Sequence, residues 1–153
     1  MVKNKMETLE EKLCYSFKDK VLLNTALTHK TFAFEANKPI EFYERLEFLG
    51  DSILGFIVAE QLYNSNKYFS EGELTRRRAI YVNNKFLANR AKELKLGKFL
   101  FLGKGEKIQK GSINPKNLAN ALEALIGAIF LDSNMKTTRE IVLKHIFEKD
   151  LKF

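Results

Sequence analysis

The stretch from Tyr43 to Glu60 constrains the chain more than any other. From Leu46 to Ala59 the apolar residues fall on nearly every side of a helix, through Phe48, Leu49, Ile53, Leu54, Phe56, Ile57 and Val58, which is the pattern of a buried helix. The same stretch carries acids. At about 100° per residue, Glu44, Glu47 and Asp51 stand at i, i+3 and i+7 and project within about 60° of one another. Like charges so placed repel, and an unpaired buried carboxylate costs on the order of several kcal/mol. Two arrangements relieve that cost: a solvated acidic stripe partnered by Arg45 or a distant lysine, or a divalent cation held against the helix.

A second stretch of the same kind favours the cation. Between Leu118 and Leu131 the only charge is Glu123 and the only amide is Asn120. They stand at i and i+3, so the polar groups of this apolar helix also share a face. Two buried helices that oppose such faces build an all-oxygen site, which suits a hard cation such as Mg²⁺ that keeps several of its waters.

The run Glu44-Arg45-Leu46-Glu47-Phe48-Leu49-Gly50-Asp51 resembles the signature of the ribonuclease III endonuclease domain, a family that cuts double-stranded RNA. Further matches follow in the same order: Ala26 to Lys30 upstream, Glu71 to Thr75 with Arg78-Ala79 in the middle, and Leu118 to Asp132 near the end. The resemblance implies a homodimeric, Mg²⁺-dependent phosphodiesterase, with Mn²⁺ as a possible substitute and no small-molecule cofactor. Its products would carry 5′ phosphates and short 3′ overhangs. By the family's motif, Glu47, Asp51, Asn120 and Glu123 fall at the metal-site positions, with Glu47, Asp51 and Glu123 as the catalytic acids. Glu44 and Glu71 are then outer acids of the same cleft. Phe48 falls where the family packs an aromatic into its partner, the alternative being an ordinary core phenylalanine. The chain departs from the pattern where it has Asn120 in place of the usual aspartate. It also shows no double-stranded-RNA-binding domain after the nuclease region, so residues 1–153 are expected to form one domain.

Length and composition are compatible with this. A chain of 153 residues with 45% hydrophobic content can bury a substantial single core. The formal net charge of +7 favours a polyanionic partner. Cys14 is the only cysteine, which excludes an internal disulfide and a Cys-x-x-Cys motif, and there is no Cys/His cluster for zinc. A reducing intracellular compartment fits, the cytoplasm first, with nucleus and organelle left open. The first twelve residues lack an apolar core for a signal peptide, and no apolar run is long enough to span a bilayer. The expectation is a soluble protein without membrane contact.

In chain order, Thr8-Leu9-Glu10-Glu11 has the form of a capping box. Asp19 opens a helix with Val21, Leu22, Leu23, Ala26 and Leu27 as its apolar side, which ends at Thr28-His29-Lys30. His29 at that end reads as a structural hydrogen-bonder rather than a catalyst. A polar connection runs from Phe34 to Pro39, ahead of the signature helix. Ser70-Glu71-Gly72-Glu73 forms another capping box, opening a helix that bears Arg76, Arg77 and Arg78; consecutive arginines diverge on a helix, and Arg78 is the candidate for an RNA phosphate. Asn83 or Asn84 caps the next helix, which stops near Gly97. Residues 103–111 read as a glycine- and lysine-rich loop in which Lys104, Lys107 and Lys110 are candidates for sequence-independent phosphate contact. This loop has neither a preceding strand nor a Gly-Lys-Ser/Thr ending, so it is not a P-loop. Asn114-Pro115 launches the second ligand helix, and a last amphipathic helix is expected over residues 135–153. Sustained two-residue alternation is absent, and the fold class is all-α.

Two further functions remain open on the sequence. One is a nuclease-like module, catalytically weak or inactive, that binds structured RNA; Asn120 argues for it. The other is a helical metal hydrolase acting on nucleotides, which the lack of a His-Asp metal motif disfavours.

Overall fold

The computed structural model describes residues 9–147, and these residues form an all-α fold. A helical stretch over residues 9–13 (α1) is followed by α2 (Lys20–Leu27), α3 (Lys30–Phe34), α4 (Glu44–Ser65), α5 (Glu71–Tyr81), α6 (Asn84–Glu93), α7 (Lys104–Ile108), α8 (Pro115–Asp132) and α9 (Met135–Ile141). Short 3₁₀ turns lie at Leu96–Lys98 and Gly111–Ile113. One isolated parallel bridge, Thr28 to Phe101, ties the end of α2 to the segment before α7. No helix among the described residues is long and apolar enough to cross a membrane.

The centre of the fold is α8. Every residue from Asn117 to Ile129 except Asn120 is buried, because α8 is walled by α4, α6, α2 and α9. Each fully buried leucine or isoleucine on it contributes about 1.5–3 kcal/mol. Asn114 caps the helix by accepting hydrogen bonds from the Lys116 and Asn117 amides, and Pro115 occupies the first helical position, where its missing N–H costs nothing.

The signature helix α4 is less enclosed than its sequence predicts. Leu46, Ile53, Leu54, Ile57, Val58 and Leu62 are buried, but Phe48 is 79% exposed and Phe56 50% exposed. Its apolar surplus therefore lies on an open face, and the reading of Phe48 as a core residue is wrong. The pairing of α4 with α8 is the most extensive in the molecule, and two glycines permit it. A methyl group on Gly50 would overlap the Glu123 carbonyl, and one on Gly127 would stand 2.5 Å from the Leu46 carbonyl oxygen.

Caps fall largely where the sequence places them. Asp19 caps α2 through the Val21 amide, Ser70 and Glu73 close a reciprocal capping box on α5, and Asn83 caps α6 through Phe86. The Thr8 box lies outside the described residues, although Leu9 and Leu13 are fully buried as expected.

Three expectations need correction. A short helix, α3, follows His29 and takes in Phe34, the first residue of the expected connection. Residues 103–111 are not a free loop: α7 forms because the Glu35 carboxylate accepts the Lys104 amide and the Thr31 hydroxyl accepts the Gly103 amide. The expected last helix, of which residues 148–153 lie outside the described residues, is not continuous either. After α9 the backbone widens into a π turn over Val142–Ile146, with the Phe147 amide donating to the Val142 carbonyl. That turn brings Phe147 into the core against Tyr81 and Phe86.

Candidate active site

The α4–α8 contact opens at one end into a cleft of about 870 Å³. From α4 it receives Glu44, Glu47 and Asp51, and from α8 it receives Lys116, Asn117, Asn120 and Glu123. The two helical spacings read from the sequence thus meet on one surface. Asn84 from α6, Lys30 and His29 from the α3 end, and Glu106 from α7 complete the rim.

The charges in the cleft disturb one another. Glu123 is 7% exposed, and burial, followed by the charges of Asp51 and Glu47, raises its carboxyl from the ordinary 4.5 to about 8. Burial also raises Glu47, helped by Glu44 and Asp51 and opposed by Lys116 and Lys30. Buried Tyr43, beneath the same acids, has its hydroxyl pushed up by desolvation and then by Glu47, Glu44 and Glu106, while an interaction with the Asn120 side chain acts in the opposite direction. Carboxyls displaced in this way cluster at functional sites.

The donor set is all oxygen: three carboxylates and the Asn120 amide. Among the described residues no three His, Cys, Asp or Glu side chains are drawn together as a closed metal cage. The arrangement is an open cleft, and its all-oxygen donor set fits a hard divalent cation.

The outer acids separate. Glu44 is in the cleft, paired with Lys30 at 3.4 Å. Glu71 is not: it accepts a hydrogen bond from Thr75 and lines a different cleft with Phe56, Tyr63, Leu74 and Arg78. The reason is the length of α4. Glu71 packs near Ala59 and Tyr63, and the twelve residues from Asp51 to Tyr63 carry it about 18 Å along the axis. Arg78 belongs to that second cleft as well, and Lys104, Lys107 and Lys110 are exposed around α7, outside the acidic one. Arg77, by contrast, packs over the Phe69 ring at 4.0 Å.

His29 is a structural hydrogen-bonder. Its backbone amide donates to the Phe101 carbonyl, its Nδ1 accepts the Thr31 amide and its ring meets Tyr43 edge-on. Burial first, and then Lys30, lowers its pKa against the opposing pull of Glu106 and Glu44, which keeps it neutral at pH 7.

Sequence reasoning missed Glu106 and Asn117. The Glu106 carboxylate accepts a hydrogen bond from Asn117 at 2.7 Å and packs against Gly111, where a methyl group would come within 2.5 Å of its Cγ. The available signal was Gly111 itself, a glycine closing a lysine-rich segment around a single acid.

The two central helices of this all-helical domain thus turn four oxygen donors into one cleft. Residues 19–150 match the sequence profile of the family described as Ribonuclease-III-like, and the chain belongs to that family. It is 48% identical to ribonuclease 3 of Oleidesulfovibrio alaskensis over 141 residues, which cover 92% of this chain and 61% of the relative. Ribonuclease 3 of Caldanaerobacter subterraneus subsp. tengcongensis is 44% identical over 147 residues, 94% of this chain and 64% of that one. The chain thus spans somewhat over three-fifths of the length of these curated relatives. Its fold matches the crystal structure of the nuclease domain of ribonuclease III from Campylobacter jejuni with a TM-score of 0.87 at 41% identity, covering 96% of this chain and 97% of that domain. A second structure of that domain, at 42% identity and a TM-score of 0.87 with 94% and 96% coverage, concerns structural flexibility in a region involved in its dimer formation.

Proposed function

We propose that this chain is the catalytic domain of an endoribonuclease that hydrolyses phosphodiester bonds of double-stranded RNA in RNA processing, leaving 5′ phosphates and short 3′ overhangs. The observation that carries the reading is the convergence of Glu47 and Asp51 from α4 with Asn120 and Glu123 from α8 on one cleft, where the buried Glu123 carboxyl is raised to about 8 by burial and its acidic neighbours.

In this reading Glu47, Asp51 and Glu123, with the Asn120 amide oxygen, hold Mg²⁺, or Mn²⁺ in its place. When bound, the cation supplies an activated water, neutralises charge on the phosphoryl oxygens and stabilises the leaving 3′ oxygen. The chain's own residues do the rest. Glu123 would hold the cation as its carboxylate, Tyr43 and His29 line the cleft, and Lys30 pairs with Glu44 at its rim. No side-chain nucleophile is required. Arg78, Lys104, Lys107 and Lys110 remain candidates for RNA backbone contact away from the acids, and Glu71 lies outside the acidic cleft.

The working form is a homodimer. Phe48, 79% exposed, stands beside an apolar groove of about 740 Å³ lined by Leu22, Phe42, Leu46, Leu49 and Leu131, an arrangement that a second copy can cover with self-complementary contacts. The protein is soluble and acts in the cytoplasm, and residues 1–153 act as one domain.

A second reading rests on Asn120, whose amide removes one negative charge from the site: an RNA-binding module without cleavage. Incubation with a long RNA duplex, with and without Mg²⁺, separates the two. Hydrolysis predicts Mg²⁺-dependent fragments that a 5′-phosphate-dependent exonuclease degrades; an intact duplex at every Mg²⁺ and Mn²⁺ concentration supports the binding module.

A further inference from the structure

Asn120 differs from the other proposed cation ligands in that its chemistry depends on which way round its side chain sits. A carboxylate turns an oxygen to the cleft in either orientation, whereas an amide flipped by half a turn replaces its oxygen with an NH₂ group. Facing the acids, that NH₂ would donate to Glu47, Asp51 or Glu123 and occupy the oxygens a cation needs. The cleft therefore needs a group that holds the NH₂ elsewhere.

Two hydroxyls line the cleft, those of Thr31 and Tyr43. The Thr31 hydroxyl is committed, since it accepts the Gly103 amide and pairs with His29 Nδ1. The neighbouring asparagine on α8 is committed too: the Asn117 NH₂ donates to Glu106 at 2.7 Å and to the Gly111 carbonyl at 3.2 Å. The Tyr43 hydroxyl interacts with the Asn120 side chain. Burial first, and then Glu47, Glu44 and Glu106, raise that hydroxyl, and Asn120 lowers it. Lowering is the effect of an N–H donor, which stabilises the phenolate. The NH₂ end of Asn120 is thus turned to Tyr43, and its oxygen is left for the cleft.

Tyr43 is held rigidly enough to set that orientation. It is 3% exposed, its amide donates to the Thr28 carbonyl at 3.0 Å, and its carbonyl accepts the Glu47 amide at 2.8 Å. Its ring stands edge-on to His29 with centroids 5.6 Å apart. We infer that Tyr43 is a positioning residue whose hydroxyl accepts the Asn120 N–H and so turns the Asn120 amide oxygen into the cleft. This rests on the reading of the cleft as the cation site of an RNA hydrolase. An asparagine then serves at position 120 only in company with Tyr43, a requirement that an aspartate would not have.

The test reads cation binding and the amide itself, without RNA. Mn²⁺ binding is followed by electron paramagnetic resonance for the wild type, Tyr43→Phe, Asn120→Asp and the double variant. Tyr43→Phe keeps the ring and removes the hydroxyl, so it should weaken Mn²⁺ binding about three- to tenfold, as loss of one hydrogen bond does. In the Asn120→Asp background the same change should weaken it by less than about twofold, because either carboxylate oxygen serves. Equal losses in the two backgrounds, the result for a merely structural tyrosine, overturn the assignment, as does no loss in either. The Asn120 NH₂ protons, identified in ¹⁵N spectra by their loss in Asn120→Asp, give a second reading that does not depend on a folded Tyr43→Phe protein. In the wild type they should exchange with water more slowly than those of an exposed asparagine, and exchange at the exposed rate overturns the assignment. A wild type that shows the coupling and the protected NH₂ but cuts no RNA duplex keeps Tyr43 in its role, and the hydrolase reading is what fails.

Discussion

Gly50 leaves no room for a methyl group against the carbonyl oxygen of Glu123, so the backbones of α4 and α8 touch at the level of the cleft. The acids of the two helices share a cleft because of this approach. Gly50→Ala should therefore force the helices apart and destabilise the fold by about 1–3 kcal/mol or more, as overpacking of a close contact does. Gly55→Ala is the internal comparison. Nothing lies within 4 Å of a methyl group there, and the change should stabilise by about 0.5–1 kcal/mol. Urea denaturation of both variants checks the pair, and equal midpoints would contradict the packing.

The Glu123 carboxyl predicts a pH dependence. Because its value in the folded protein, about 8, lies above its ordinary 4.5, the unfolded chain loses this proton first. Between those values folding becomes progressively less favourable, and above the upper one the penalty is constant. Glu123→Gln should accordingly be more stable than the wild type by a margin that grows from about pH 4.5 to about pH 8 and then levels off. Thermal unfolding across that range, without divalent ions, measures the margin. A difference that does not change with pH would mean that the carboxyl is not displaced.

Much of this site was legible in the sequence. The i, i+3, i+7 spacing of Glu44, Glu47 and Asp51 and the i, i+3 spacing of Asn120 and Glu123 survive in the fold because a helix fixes which residues share a face. What did not survive depended on how elements meet. Glu71 sits in a local motif that shows its helix but not its distance along α4. Glu106 looked like one charge in a lysine-rich loop, since the Glu35 and Thr31 contacts that fold α7 come from about seventy residues upstream. Phe48 and Phe56 could be placed on α4, but periodicity alone did not show that α8 would take the central position and leave their face open.

That open face carries the next expectation. Phe48→Asp should convert a homodimer to monomer, because a charge placed among Leu22, Phe42 and Leu131 would be desolvated at the contact. Light scattering at tens of micromolar protein reads the state directly. A wild type that is monomeric there, or a Phe48→Asp protein that remains dimeric, contradicts the assignment of this surface.

In the proposed site Asn120 would set the cation requirement. Its amide oxygen can serve a hard cation but brings no charge, so Asn120→Asp should lower the Mg²⁺ concentration needed for half-maximal cleavage and leave the cut positions unchanged. If the wild type is inert with Mg²⁺ and Mn²⁺ while Asn120→Asp cleaves well, the natural chain is an RNA-binding module.

The central claim is that the acids of the α4–α8 cleft perform the chemistry while other residues bind the RNA, and the most direct measurement is cleavage and binding of one long RNA duplex by the wild type, Glu47→Ala and Glu123→Ala. The account predicts Mg²⁺-dependent cutting by the wild type, a loss of at least about a hundredfold in each variant, and duplex binding without divalent ions that is nearly unchanged, since backbone contacts supply that affinity. Cleavage by folded Glu123→Ala at the wild-type rate would contradict it.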